Sequence, residues 1–123
     1  MISLDKFKIL RDISEYCDAY CYDSYEFLYI LEFSKGTKIG RSSKPRERIN
    51  SYLSPWCLPL TSFKLTHCPE SKLIEKEWVH NLQKDFLPIG EEFFPNIGSC
   101  VAEEYVLQIN PSLNFKELYN GNY

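Results

Sequence analysis

The segment Phe27–Tyr52, FLYILEFSKGTKIGRSSKPRERINSY, constrains the possible architecture of this chain more than any other stretch. Phe27–Phe33 is apolar and aromatic with the β-branched Ile30 at its centre, which predicts a buried strand. Ser34-Lys35-Gly36 is turn chemistry, since glycine adopts a positive φ without Cβ strain. Thr37–Arg41 is then the returning strand. Ser42-Ser43-Lys44-Pro45 ends it, and Pro45 suits the first position of a new helix, where its missing N–H is not needed. On that helix, expected near 45–53, Arg48 and Tyr52 are one turn apart and share a face. Ile49 and Leu53 form the apolar stripe beside them.

The rest of the chain supplies elements to cover this hairpin. Residues 3–22 carry Leu4, Phe7, Leu10, Ile13 and Cys17 at helical spacing, with Ser3 placed to cap the N-terminus and Asp23-Ser24 to close it. Prolines 55 and 59 exclude regular helix from Ser54–Leu60, a loop whose apolar residues fold back on the core. Ser62–His67 alternates as a third strand does. Pro69 opens a second helix, running to about Phe86, with Glu70 in its first turn, where an acid favours the dipole. Ser99–Ile109 has Val101, Tyr105, Val106 and Ile109 at helical spacing and is stopped by Pro111. Residues 112–123 read as a loosely attached tail. There is no internal repeat or low-complexity segment.

A chain of 123 residues supports one domain with a real core, and 44% hydrophobic with 15% aromatic content exclude a disordered protein. The longest uncharged apolar run, Phe27–Leu31, is far short of a membrane span, and the N-terminus lacks a signal-peptide core. Five scattered cysteines suit a reducing compartment better than a disulfide framework, so an intracellular, cytoplasmic location is expected, with no membrane partner. Charge is uneven. Residues 34–50 hold Lys35, Lys38, Arg41, Lys44, Arg46 and Arg48 against Glu47 alone, a net of +5, so the remainder carries −8 of the total −3. A basic segment on an acidic body provides a local phosphate site, or a solvated helix face. It argues against non-specific wrapping of nucleic acid, which needs many phosphate contacts.

Tyr29, followed by Lys38-Ile39-Gly40 and then Arg48, resembles the GIY-YIG nuclease superfamily, in particular its small viral (phage) and bacterial stand-alone branch with a Lys-Ile-Gly second motif. The resemblance runs from about Phe27 to about Phe94. Phe27-Leu28-Tyr29 stands where that family has Gly-Ile-Tyr, so only the tyrosine is kept. Gly90-Glu91-Glu92-Phe93-Phe94 resembles the segment that packs an aromatic pair against the core in that branch, with Asn96 near it. The resemblance implies an α+β fold: a three-stranded, mostly antiparallel sheet with strands near 27–33, 37–41 and 62–67, flanked by helices near 45–53 and 69–86. Residues 1–24 are then an N-terminal helical extension, 25–110 the domain with its C-terminal helix, and 111–123 a tail.

The implied activity is divalent-metal-dependent hydrolysis of DNA phosphodiester bonds by a monomer or homodimer. Such a reaction needs an activated water, charge neutralisation at the phosphoryl oxygens, and help for the leaving oxygen. The resemblance assigns Arg48 to the phosphate, through its fork of donors, and a glutamate of the second helix to one Mg²⁺ or Mn²⁺ ion. Of the two candidates, Glu75 lies beside Trp78, Val79 and Leu82 on the inward face, whereas Glu77 lies with Leu73 and Asn81 away from it. Tyr29 is the general base if the neighbouring Lys38 lowers its pKa. Lys38 replaces the family's second tyrosine and Tyr52 its histidine, and in that variant Lys38 itself becomes the base if burial depresses its pKa. Lys35, Arg41, Lys44 and Arg46 are expected to hold the nucleic-acid backbone.

Plainer readings stand beside these. Tyr29 and Tyr52 serve as core aromatics, Lys38 as an edge-strand lysine, and Arg48 as the partner of Glu47 or another surface acid. Cys17, Cys21, His67 and Cys68 offer zinc ligands in poor spacing, and Cys68 beside His67 or near His80 has no nucleophile motif around it. Trp56 and Trp78 are available for base stacking, as core residues also are. The alternative from another class is a catalytically inactive binding protein with this fold: a viral inhibitor whose acidic surface imitates nucleic acid and whose partner is a host nucleic-acid enzyme.

Overall fold

The computed structural model describes residues 6–19, 26–52, 60–90 and 92–121. The expectations for Ser3, Leu4, Cys21, Asp23-Ser24, Leu53, the 54–59 loop with Trp56, and Glu91 lie outside them. In chain order the elements are α1 (Lys6–Asp18), β1 (Phe27–Phe33), β2 (Gly36–Ser42), α2 (Pro45–Tyr52), β3 (Leu60–His67), α3 (Ser71–Asp85), β4 (Phe93–Phe94), α4 (Ser99–Ile109) and β5 (Lys116–Asn120).

The class is α+β, and the sheet is wider than expected: five antiparallel strands in the order β4-β2-β1-β3-β5. β1 is central because its first five residues have no polar position to give to solvent, and all five are buried. Phe27, Tyr29 and Leu31 point into one core with Ile9 and Ile13 of α1, Ile49 of α2 and Leu118 of β5. Leu28 and Ile30 point into the other, with Ile74, Trp78 and Leu82 of α3 and Ala102 and Val106 of α4. The protein is therefore a sheet between two helical layers. Gly36 at the β1–β2 turn has φ +148°, and a Cβ there would lie 2.6 Å from Pro95 Cα, so the turn and the β4 strand beside it both require glycine.

The two strands absent from the sequence reading have simple causes. Phe93 and Phe94 carry the aromatic pair expected to pack on the core, and their backbone also pairs with Lys38 and Thr37 on the β2 edge. The C-terminal stretch is corrected more strongly. Residues 116–120 pair with β3 from Ser62 to Leu65, and Leu118 is buried. An unpaired β3 edge and a buried leucine outweigh the weak alternation of KELYN. Pro69 and Glu70 form a turn, with α3 starting at Ser71.

α4 begins at Gly98, which has no side chain to cap the helix. Glu32 of β1 does so instead: the Ser99 N–H donates to Glu32 Oε1 at 2.5 Å, and the Thr61 hydroxyl donates to Oε2 at 2.9 Å. Burial alone would raise the Glu32 pKa, but these donors and Lys64 hold it below the usual carboxylate range. Because the folded pKa is lowered, the contribution is present above the unfolded pKa and is lost as pH falls through the folded one. Glu32→Gln is expected to cost about 1 kcal/mol in denaturant unfolding at neutral pH, a figure reduced for partial exposure. The difference from wild type should shrink in acid; a constant difference would contradict the capping role.

Candidate active site

The β2 edge explains how a site forms across both helical layers. The Ile39 N–H points outward and donates to the Glu92 carbonyl at 3.1 Å, just before β4. With the two-residue repeat of a strand, the next outward N–H is that of Arg41, beyond the reach of the short β4. Beside it stands the carboxylate of Glu75, which belongs to α3 on the opposite layer from α2 and lines the same pocket as Arg41. At the end of the short β4 an α3 acid therefore meets the side of the sheet that Tyr29 and α2 occupy.

A polar pocket of about 180 Å³ opens at this place, lined by Tyr29, Lys38, Arg41, Arg48, Tyr52, Glu75 and Glu92. Five of these are the residues that the sequence singles out for catalysis, and they arrive from β1, β2, α2 and α3. Tyr29 forms the floor. It is opposite Gly40 in the β1–β2 register and its ring lies against that glycine, where a side chain would overlap it. The Tyr29 and Tyr52 side chains are neighbours, with their rings tilted at 6.4 Å between centroids. Lys38 Nζ is 5.9 Å from the centre of the Tyr52 ring and 3.0 Å from Glu92 Oε2. Arg48 is exposed at the rim, and among the described residues its guanidinium has no hydrogen-bond or ion-pair partner.

The electrostatics assign protonation states. Burial, then the neighbouring Tyr52, push the Tyr29 pKa well above that of an ordinary phenol, and Arg48 opposes this only in part. Tyr29 is accordingly a neutral phenol, a hydrogen-bond donor, at neutral pH; the expected lowering by a cation is outweighed. Burial and repulsion from Glu92 raise the Glu75 pKa, with the Arg41 charge and N–H and the Lys38 charge acting the other way.

The remaining sequence candidates are placed elsewhere or differently. Arg41 lines the pocket, but its Nε donates to Ser71 Oγ and its Nη2 to Glu26 Oε1, both at 3.2 Å, so its guanidinium is tied to the start of α3. Lys35, Lys44 and Arg46 are exposed and do not line the pocket. Glu77 lies in a groove of about 630 Å³ on the outer face of α3, which Glu75 and Glu92 border. Trp78 is fully buried and donates to the Ala102 carbonyl at 2.9 Å, so it is core and not a stacking platform. Burial raises the pKa values of the Cys17 and Cys68 thiols, that of Cys17 to about 11, which leaves neither a ready thiolate. A larger cleft of about 1230 Å³ on the β3–β5 side includes His67 and Cys68. Among the described residues no group of three or more His, Cys, Asp or Glu side chains is arranged to hold a metal ion.

Glu92 is the pocket residue that sequence reasoning missed. Its signal was present in Gly90-Glu91-Glu92-Phe93-Phe94, where the aromatic pair explained the segment and the acid before it was passed over. No family model, no curated protein and no solved structure matches the chain.

Proposed function

We propose that the protein is a GIY-YIG-like endonuclease, hydrolysing DNA phosphodiester bonds with the help of one divalent cation. The observation that carries this reading is the convergence of Tyr29, Lys38, Arg48, Tyr52 and Glu75 on one small polar pocket open to solvent. A tyrosine core, an edge lysine and a surface arginine with unrelated structural roles have no reason to meet there.

The donor set fits a cation that keeps most of its water. Lys38 engages Glu92, so Glu75 is the carboxylate open to an ion, and Mg²⁺ accepts as few as one or two protein carboxylates. A cation held by Glu75 would supply charge neutralisation at the phosphoryl oxygens and help for the leaving oxygen. Arg48, exposed and without a partner among the described residues, offers its planar fork to the non-bridging oxygens and sets the phosphate in line with the pocket. The Lys38 ammonium supplies a second positive charge from the β2 side. Tyr29 is held as a donor by burial, and with Tyr52 it forms a hydroxyl pair that orients a water or a phosphoryl oxygen above the floor. A neutral phenol takes up no proton, so the pair orients the water and the proton that water loses goes to solvent.

The test is cleavage of supercoiled plasmid in Mg²⁺, Mn²⁺ and EDTA by wild type and Glu75→Gln. We expect nicking in either metal, none in EDTA, and at least about a hundredfold loss in Glu75→Gln. Nicking that persists in EDTA, or that Glu75→Gln retains, contradicts the assignment of the metal to Glu75.

A further inference from the structure

The proposed chemistry leaves the Lys38–Glu92 ion pair of the pocket unexplained. A carboxylate facing a phosphate site is a cost: it repels the substrate and takes up a cation that would otherwise attract it. Glu92 nevertheless points into the pocket and holds Lys38 Nζ at 3.0 Å. The two side chains are 23% and 27% exposed, so the pair is neither sealed from solvent nor held mainly by burial. Pairs of this exposure contribute about 1 kcal/mol or less, an amount that a phosphate diester meeting the same ammonium readily exceeds. The backbone of Glu92 has its own separate role, since its carbonyl accepts the Ile39 N–H and anchors the strand edge.

Resting on the nuclease reading, we propose that Glu92 is a positioning residue that acts through Lys38. In the substrate-free protein its carboxylate occupies the place of a phosphoryl oxygen and keeps the Lys38 ammonium at the pocket beside the Tyr52 ring. An arriving phosphate exchanges with it. Three observations support the exchange. Lys38 is held by one carboxylate oxygen and is 5.9 Å from the Tyr52 ring centre, a cation–π distance, so it has a second favourable contact that stays when Glu92 lets go. Arg48 lines the same pocket and has no hydrogen-bond or ion-pair partner among the described residues, so it can receive the same phosphate. Lys38 is directly opposite Leu31 in the β1 register and Phe93 in the β4 register, so the backbone beneath it is fixed from both sides and only the side chain has to move. The consequence is a specificity for a ligand that is itself anionic and able to reach between Lys38 and Arg48, as a phosphodiester is. Neutral ligands leave the internal pair closed.

The prediction is a binding effect of opposite sign to the usual loss on mutation. Without divalent cation and at low salt, Glu92→Gln is expected to bind a fluorescein-labelled oligonucleotide about fivefold more tightly than wild type, because Lys38 is released from its internal anion. Glu92→Asp, which keeps the charge, should bind as wild type does. In a Lys38→Ala background the Glu92→Gln effect should vanish, which isolates the pair from the general removal of one negative charge. Glutamine is isosteric and leaves the bond from Ile39 to the 92 carbonyl in place, so the Glu92→Gln melting temperature should fall by no more than the loss of a pair worth about 1 kcal/mol allows. Unaltered binding by Glu92→Gln would overturn the proposal, as would a gain of equal size in the Lys38→Ala background. Those results leave the nuclease reading standing if wild type still cleaves. Absence of oligonucleotide binding by every variant together with absence of cleavage would overturn the nuclease reading, and this proposal with it.

Discussion

Arg48→Ala is expected to lower the cleavage rate about 10²- to 10³-fold while leaving the protein as stable as wild type. Arg48 is on the exposed side of α2 and holds no partner among the described residues, so truncation removes no internal contact. Its guanidinium is the one cation of the pocket without a local anion: Lys38 is engaged by Glu92 and Arg41 by Glu26. Charge that develops on a phosphoryl group at this site therefore falls chiefly to Arg48. Removing one such preorganised donor typically costs a few kcal/mol of transition-state stabilisation. Single-turnover cleavage with thermal melting alongside checks both halves. Arg48→Lys should recover only part of the rate, since an ammonium lacks the planar fork. A melting temperature that falls with the rate would instead give Arg48 a structural role.

The second large effect is expected at a residue with no side chain. Gly40 is opposite Tyr29, and a Cβ on it would meet Tyr29 Oη and lie 2.5 Å from Cζ. The ring cannot simply turn away. It is 2% exposed, in a core with Phe27, Leu31, Ile49 and Leu65, and its ring packs against that of Tyr52. Gly40→Ala should therefore destabilise by about 1–3 kcal/mol through overpacking and also displace the Tyr29 hydroxyl. The cause is specific and separable from a loss of backbone freedom. Shortening the floor residue, as in Tyr29→Leu, should remove most of the Gly40→Ala penalty, giving a coupling of about 1 kcal/mol or more in a double-mutant cycle by urea unfolding. Additive effects would place the role of Gly40 elsewhere.

How much of this was legible follows from which forces are local. The β1–β2 hairpin and the helix after Pro45 were readable because turn chemistry, an uninterrupted apolar strand and a helix-starting proline all act within a few residues. Arg48, Tyr52 and Tyr29 came with that register. The inward choice of Glu75 over Glu77 was readable from helical periodicity, and Glu75 lines the pocket. What periodicity could not show was why an α3 acid reaches the α2 layer. That depends on β4 ending after two residues, so that Glu75 lines the pocket beside Arg41 at the open end of the β2 edge. β5 was missed for a related reason: KELYN has little strand pattern of its own, and its pairing comes from the open β3 edge. The basic segment divides in the fold. Lys35, Lys44 and Arg46 share its charge but point to solvent, and the Arg41 guanidinium is consumed by Glu26 and Ser71. Glu92 was hidden because its partner is distant in sequence and close only across a strand pair.

The measurement that bears most directly on the central claim is cleavage of supercoiled plasmid, single-stranded DNA and RNA by purified wild type, Arg48→Ala and Glu75→Ala, side by side with and without Mg²⁺. The pocket geometry predicts Mg²⁺-dependent cleavage of DNA by wild type and loss of it in both variants, with all three proteins folded. Folded wild type that cleaves none of the substrates would contradict the account and favour a binding protein that keeps this fold. Cleavage that survives both substitutions would place the chemistry outside this pocket.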